Sequence, residues 1–131
     1  MKVTKLTLII VVILLLVGLT AFLIIYHQPG FTGERTKNLD SYILDIKKMN
    51  GADSHTLNLT AGDVLQVKFE TERGSLRMEI TAPDGTILYA GNGEETTEFE
   101  ISISETGAYI VTVEARHAEG KINIQPKEIS K

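Results

Sequence analysis

SHTLNLTAGDVLQVKFETERGSLRMEI, residues 54–80, decides the fold. His55, Leu57 and Leu59 alternate with Thr56, Asn58 and Thr60, and Ala61-Gly62-Asp63 then turns the chain. Leu65, Val67 and Phe69 alternate with Gln66, Lys68 and Glu70, and Arg73-Gly74 reads as a second turn. Leu76, Met78 and Ile80 continue the pattern against Arg77, Glu79 and Thr81. A period of two puts successive side chains on opposite faces of an extended chain, so these runs read as strands with one apolar and one polar face.

The pattern extends downstream. Pro83-Asp84-Gly85 has turn chemistry, because proline presets φ and glycine accepts positive φ, and residues 86–90 supply the hairpin partner. Gly91-Asn92-Gly93 breaks the chain before the acidic pair Glu94-Glu95. Phe99, Ile101 and Ile103 then point one way, Tyr109, Val111, Val113 and Ala115 follow the break at Glu105-Thr106-Gly107, and Ile122 and Ile124 precede Pro126. Upstream, residues 39–49 fit a helix through Leu39, Tyr42, Ile43, Ile46 and Met49 and a strand through Tyr42, Leu44 and Ile46. Asp40-Ser41 would cap a helix, but strand is the reading adopted. About eight short strands with single apolar faces are buried by packing sheet on sheet, so residues 38–131 are expected to form an all-β, jelly-roll-like antiparallel sandwich.

The N-terminal segment has a different logic. LTLIIVVILLLVGLTAFLIIY begins at Leu6, ends at Tyr26 and carries no charge. About 21 residues at about 1.5 Å each span roughly 31 Å, matching a hydrocarbon core of about 30 Å. A transmembrane signal anchor is expected, with membrane lipid as its partner. Cleavage at Leu19-Thr20-Ala21 would leave residues 22–26 as an apolar new terminus, so a secreted, processed form is the lesser reading. Lys2 and Lys5 precede the span, against Arg35, Lys37, Lys47 and Lys48 after it. With so few residues ahead of the span, residues 1–5 are expected in the cytoplasm and the β domain outside it. Residues 27–37, HQPGFTGERTK, hold Pro29, Gly30 and Gly33 and read as a linker in which little packs.

Of the 13 Lys and Arg, 11 lie beyond the span and face all 17 Asp and Glu, a balance of about −6 that repels phosphate backbones. Nucleic acid is not an expected partner. The chain has no cysteine, which removes disulfides and thiolate metal sites and fits a bacterial surface protein.

Three motifs in order add a resemblance. Leu57-Asn58-Leu59-Thr60-Ala61-Gly62-Asp63, then Ala82-Pro83-Asp84-Gly85-Thr86, then the run from Glu105-Thr106-Gly107-Ala108-Tyr109 through Val113 resemble the bacterial pre-peptidase C-terminal domain. More distantly they are similar to GOLD-type sandwiches. The resemblance covers about residues 54–125 and implies a jelly-roll accessory domain outside the cytoplasm, without catalysis of its own. Such domains usually follow a secreted enzyme, whereas a membrane anchor precedes this one.

Hydrolytic chemistry needs a nucleophile with a base, or paired carboxylates in a cleft. Beyond the linker only His55 and His117 offer imidazoles, and both read as surface histidines, so neither an enzyme nor a cofactor is expected. The carboxylate and amide side chains best placed for calcium are Asp84, Asn92, Glu94 and Glu95, which read first as solvated turn residues. Tyr42 and Tyr89 are the aromatic candidates for stacking on a sugar ring, with core or edge packing the preferred reading. Tyr109 is expected to fix a corner by bonding its hydroxyl to a neighbouring turn. The function these features imply is a membrane-anchored interaction or structural module of the cell envelope. The alternative is a module that binds glycan or cell-wall polymer.

Overall fold

The structure, a computed structural model, describes residues 4–26, 28–95 and 97–127. An apolar run must satisfy its backbone internally, and it does so as one helix, α1 (Lys5–Tyr26), in which no residue is buried against protein. The Thr7 amide donates to the Thr4 hydroxyl at 3.2 Å, capping the first turn. Thr20 Oγ1 donates back to the Leu16 carbonyl at 2.8 Å, so this hydroxyl needs no partner from outside the helix. The helix is long and apolar enough to cross a membrane.

The rest is antiparallel β-sheet: β1 (Gly30–Lys37), β2 (Tyr42–Leu59), β3 (Val64–Thr81), β4 (Ile87–Gly91), β5 (Thr97–Ser102) and β6 (Gly107–Pro126). The order is β1-β2-β6-β3-β4, with β5 on β3 as well. Three strands are long, and each changes register near its middle: β2 between Ile46 and Gly51, β3 between Thr71 and Ser75, and β6 opposite both. These irregularities line up as a crease across the sheet. On one side of it β1, the first half of β2, the second half of β6, the first half of β3 and β5 lie side by side. On the other side lie the second half of β2, the first half of β6, the second half of β3, and β4.

Burial follows the alternation. Tyr42, Leu44 and Ile46 of β2, Leu65, Val67 and Phe69 of β3, and Ile122 and Ile124 of β6 come from one half. Leu57, Leu59, Leu76, Met78, Ile80, Tyr109, Val111 and Val113 come from the other, and all belong to one core cluster. Phe99 and Ile101 pack against it, partly buried, and Ile103 is buried within it.

The expectation of an all-β domain behind one apolar helix therefore holds, and of residues 39–49 the part from Tyr42 onward lies in a strand, β2. Two features differ. The six strands replace about eight because three pairs of expected strands are joined where the chain bends without reversing, while β1 adds a strand that was not expected. Gly51, Gly74 and His117 hold positive φ there, at 114°, 69° and 44°. A single left-handed residue makes a bulge that kinks a strand without ending it. A continuous ladder crosses the crease, in place of the two separate sheets expected.

The second correction concerns the expected linker, because Gly30–Lys37 pairs along its whole length with β2. Register puts Phe31, Arg35 and Lys37 opposite Met49, Leu44 and Tyr42, hence on the inward face. An edge strand can fill inward positions with the aliphatic stems of charged residues, and such a strand carries no apolar alternation to read.

Candidate functional site

A cluster of ionisable side chains lies where the end of β1 reaches the second half of β2. Asp53 occupies an inward position, two residues before His55 and four before Leu57, and its side chain is only 13% exposed. Lys37 Nζ approaches its Oδ1 at 3.1 Å and Arg35 Nε its Oδ2 at 3.7 Å. The Tyr42 hydroxyl donates a short hydrogen bond to Oδ2. Lys37 also donates to the Ser54 carbonyl at 3.0 Å. The His55 Nε2 group donates to the Asn38 carbonyl at 2.5 Å, and its ring lies 5.3 Å from that of Tyr42.

These contacts fix two protonation states. Burial pushes the Asp53 carboxyl upward, but the Tyr42 hydroxyl, Lys37 and Arg35 outweigh it and hold the group below its ordinary value. Burial pushes the Tyr42 hydroxyl well above its ordinary value, and the Asp53 hydrogen bond and charge add to that. Asp53 stays ionised and Tyr42 stays protonated around neutrality, so neither exchanges a proton with a substrate there. Chemically the group is a clasp that fastens the sheet edge, and β2's exposed backbone is blunted by Lys37 in the manner of protected edge strands.

The sequence candidates are dispersed. Tyr42 is fully buried, so its ring faces the core and not a sugar. Tyr89 is half-buried with its ring 4.5 Å from Phe99, and burial raises its hydroxyl pKa. Asp84 lies in the β3–β4 hairpin, whereas Asn92, Glu94 and Glu95 lie beyond the other end of β4. A five-residue strand separates the two sets by about 16 Å, too far for one cation. Asp84 Oδ1 accepts from the Thr86 amide at 2.9 Å, and this bond holds its carboxyl below the ordinary value. Asn92 Oδ1 accepts from the Glu94 amide at 3.2 Å. Both are turn-forming bonds. Among the described residues no three His, Asp or Glu side chains stand close enough to hold a metal ion. Tyr109 does fix its corner, donating to the Glu105 carbonyl at 2.6 Å.

Reading the sequence missed Asp53 and its cationic partners. The available signal was the inward series 53, 55, 57, 59, in which a carboxylate at a core-facing position demands partners.

The other built feature is the junction of helix and sheet. Tyr26, the last residue of α1, sets its ring 4.1 Å from that of His117 in the β6 bend. The Asn50 amide donates to the Gln28 carbonyl at 3.3 Å, and Pro29 lies against Gly51. The helix therefore meets the sheet at its crease. No family model matches the chain, and no curated protein matches it.

Proposed function

We propose that the protein is a single-pass envelope protein whose β domain acts outside the cytoplasm as a noncatalytic interaction or structural module. The observation that supports the anchor is α1: 22 residues, none buried against protein, ending directly at the domain. An isolated helix that is apolar on every face finds its solvent in lipid. Support for a binding role comes from the sheet margins. Among the described residues β4 and β5 each pair with β3 on one side only, and such edges can accept a strand from a partner.

The experiment is protease treatment of intact cells expressing the full chain, combined with alkaline carbonate extraction of their membranes. The expected result is a chain that resists extraction and loses its β domain to external protease. Extraction into the soluble fraction would defeat the anchor, and full protection from protease would reverse the orientation. In-cell crosslinking then identifies the neighbour, and capture of nothing but lipid and the chain itself would defeat the interaction role.

A further inference from the structure

The crease opens beside the helix end as a cavity of about 380 Å³. One wall is apolar, built from Phe22, Ile25 and Tyr26 of the last turns of α1. The other carries Lys48, Asn50 and His117 beside Pro29 and Phe31. With α1 across a bilayer, Tyr26 lies at the boundary between acyl chains and headgroups, the level at which tyrosine rings anchor helix ends. The cavity then spans that boundary, apolar toward the chains and cationic toward the headgroups.

Lys48 is exposed, and among the described residues no carboxylate lies within ion-pair distance of it. Around it the crease carries Lys47, Arg73 and Arg116, against Glu72 and Glu119, of which Glu119 is paired with Arg73 at 3.4 Å. The acidic pair Glu94-Glu95 lies beyond β3 at the far end of the crease, three strand spacings or about 14 Å from β2. On the helix side Lys47, Lys48 and Arg116 thus outnumber the nearby carboxylates Glu34 and Asp45, a small local positive excess in a domain whose overall charge is negative.

We propose that this cavity binds the headgroup of an anionic phospholipid from the surrounding leaflet, with Lys48 on the phosphate and Phe22 and Ile25 along the first carbons of the acyl chains. The proposal rests on α1 being a membrane span. Bound lipid fills the angle between helix and sheet and fixes the domain against the bilayer surface.

The test uses the full chain, purified in mild detergent and stripped of lipid. It is titrated with phosphatidylglycerol or phosphatidylcholine of identical acyl chains, and retained lipid is counted by native mass spectrometry. Phosphatidylglycerol should be retained about fivefold better, the size expected for one lysine at an anionic surface. Lys48→Gln should remove the preference, while Lys127→Gln, the same charge change at the other end of the sheet, should leave it. Equal retention of both lipids, or a preference that survives Lys48→Gln, overturns the proposal. Lys48-dependent binding of inorganic phosphate as tight as that of the lipid overturns it too, because the site would then serve a soluble anion. Insertion into liposomes is scored separately. A chain that inserts without lipid preference defeats this proposal alone, and one that does not insert defeats the membrane reading with it.

Discussion

Asp53 keeps its charge in a shell that burial makes unfavourable, and this ties stability to pH. Its folded-state pKa lies below the ordinary aspartate value of about 3.9. The unfolded chain therefore takes up the proton first as pH falls. The stabilisation is fully present above about pH 4 and is lost as pH drops through the depressed folded value. Denaturant midpoints of the full chain in detergent should fall below about pH 4, and Asp53→Asn should flatten that dependence while lowering stability at neutrality. An equal acid slope in the variant would show that other carboxylates carry it. Tyr42→Phe removes one buried hydrogen bond and should cost about 1 to 3 kcal/mol by the same midpoints. Tyr42 was legible as a core residue because its position alternates with Leu44 and Ile46. Asp53 was not, because its meaning depends on Arg35 and Lys37, 18 and 16 positions away, and nothing local in the sequence announces them.

Among the elements, the long strands show what a period of two can and cannot reveal. Alternation located both halves of β2, β3 and β6, since each half buries one face. It did not reveal that the halves are continuous, because a glycine between two runs signals a turn and a bulge equally well. Gly74 illustrates the difference. Its φ is +69°, and a Cβ there would run into the carbonyl oxygens of Arg116 and His117 on β6. Gly74→Ala combines left-handed strain with a backbone clash and should cost about 2 kcal/mol or more, lowering Tm by roughly 10 °C. Thermal unfolding followed by the β circular dichroism signal measures it, and an unchanged Tm would mean the bend is not rigid. At Gly85, in the β3–β4 hairpin, φ is also positive, but a Cβ would meet no atom within 4 Å, so Gly85→Ala should cost less than Gly74→Ala.

Across the whole molecule, charge and shape share one axis. The crease carries the helix and, on the helix side, the cations Lys47, Lys48 and Arg116, while Arg73 is paired with Glu119, and Glu72, Glu94 and Glu95 lie toward the β3 end. The opposite end is formed by the turns between strands, which hold Asp40, Asp63, Asp84 and Glu105. From crease to tip the half-strands run about 20 to 25 Å. This polarity was hidden in the sequence, where the same residues are interleaved and only their net balance can be read. If α1 spans a bilayer as proposed, the helix-side cations Lys47, Lys48 and Arg116 would face anionic headgroups and hold the tips away from the surface. Because the chain has no cysteine, single introduced cysteines give clean reporters of that orientation. Thr32→Cys, beside Lys48 at the junction, and Asp84→Cys, at the tip, can each carry a fluorophore in liposomes containing a headgroup-borne quencher. The Thr32 label should be quenched several-fold more than the Asp84 label, because the tip stands about 20 to 25 Å from the crease and out of contact with a quencher on the headgroups. Equal quenching at both sites would mean that the sheet lies flat on the membrane and that the charge axis does not set its posture.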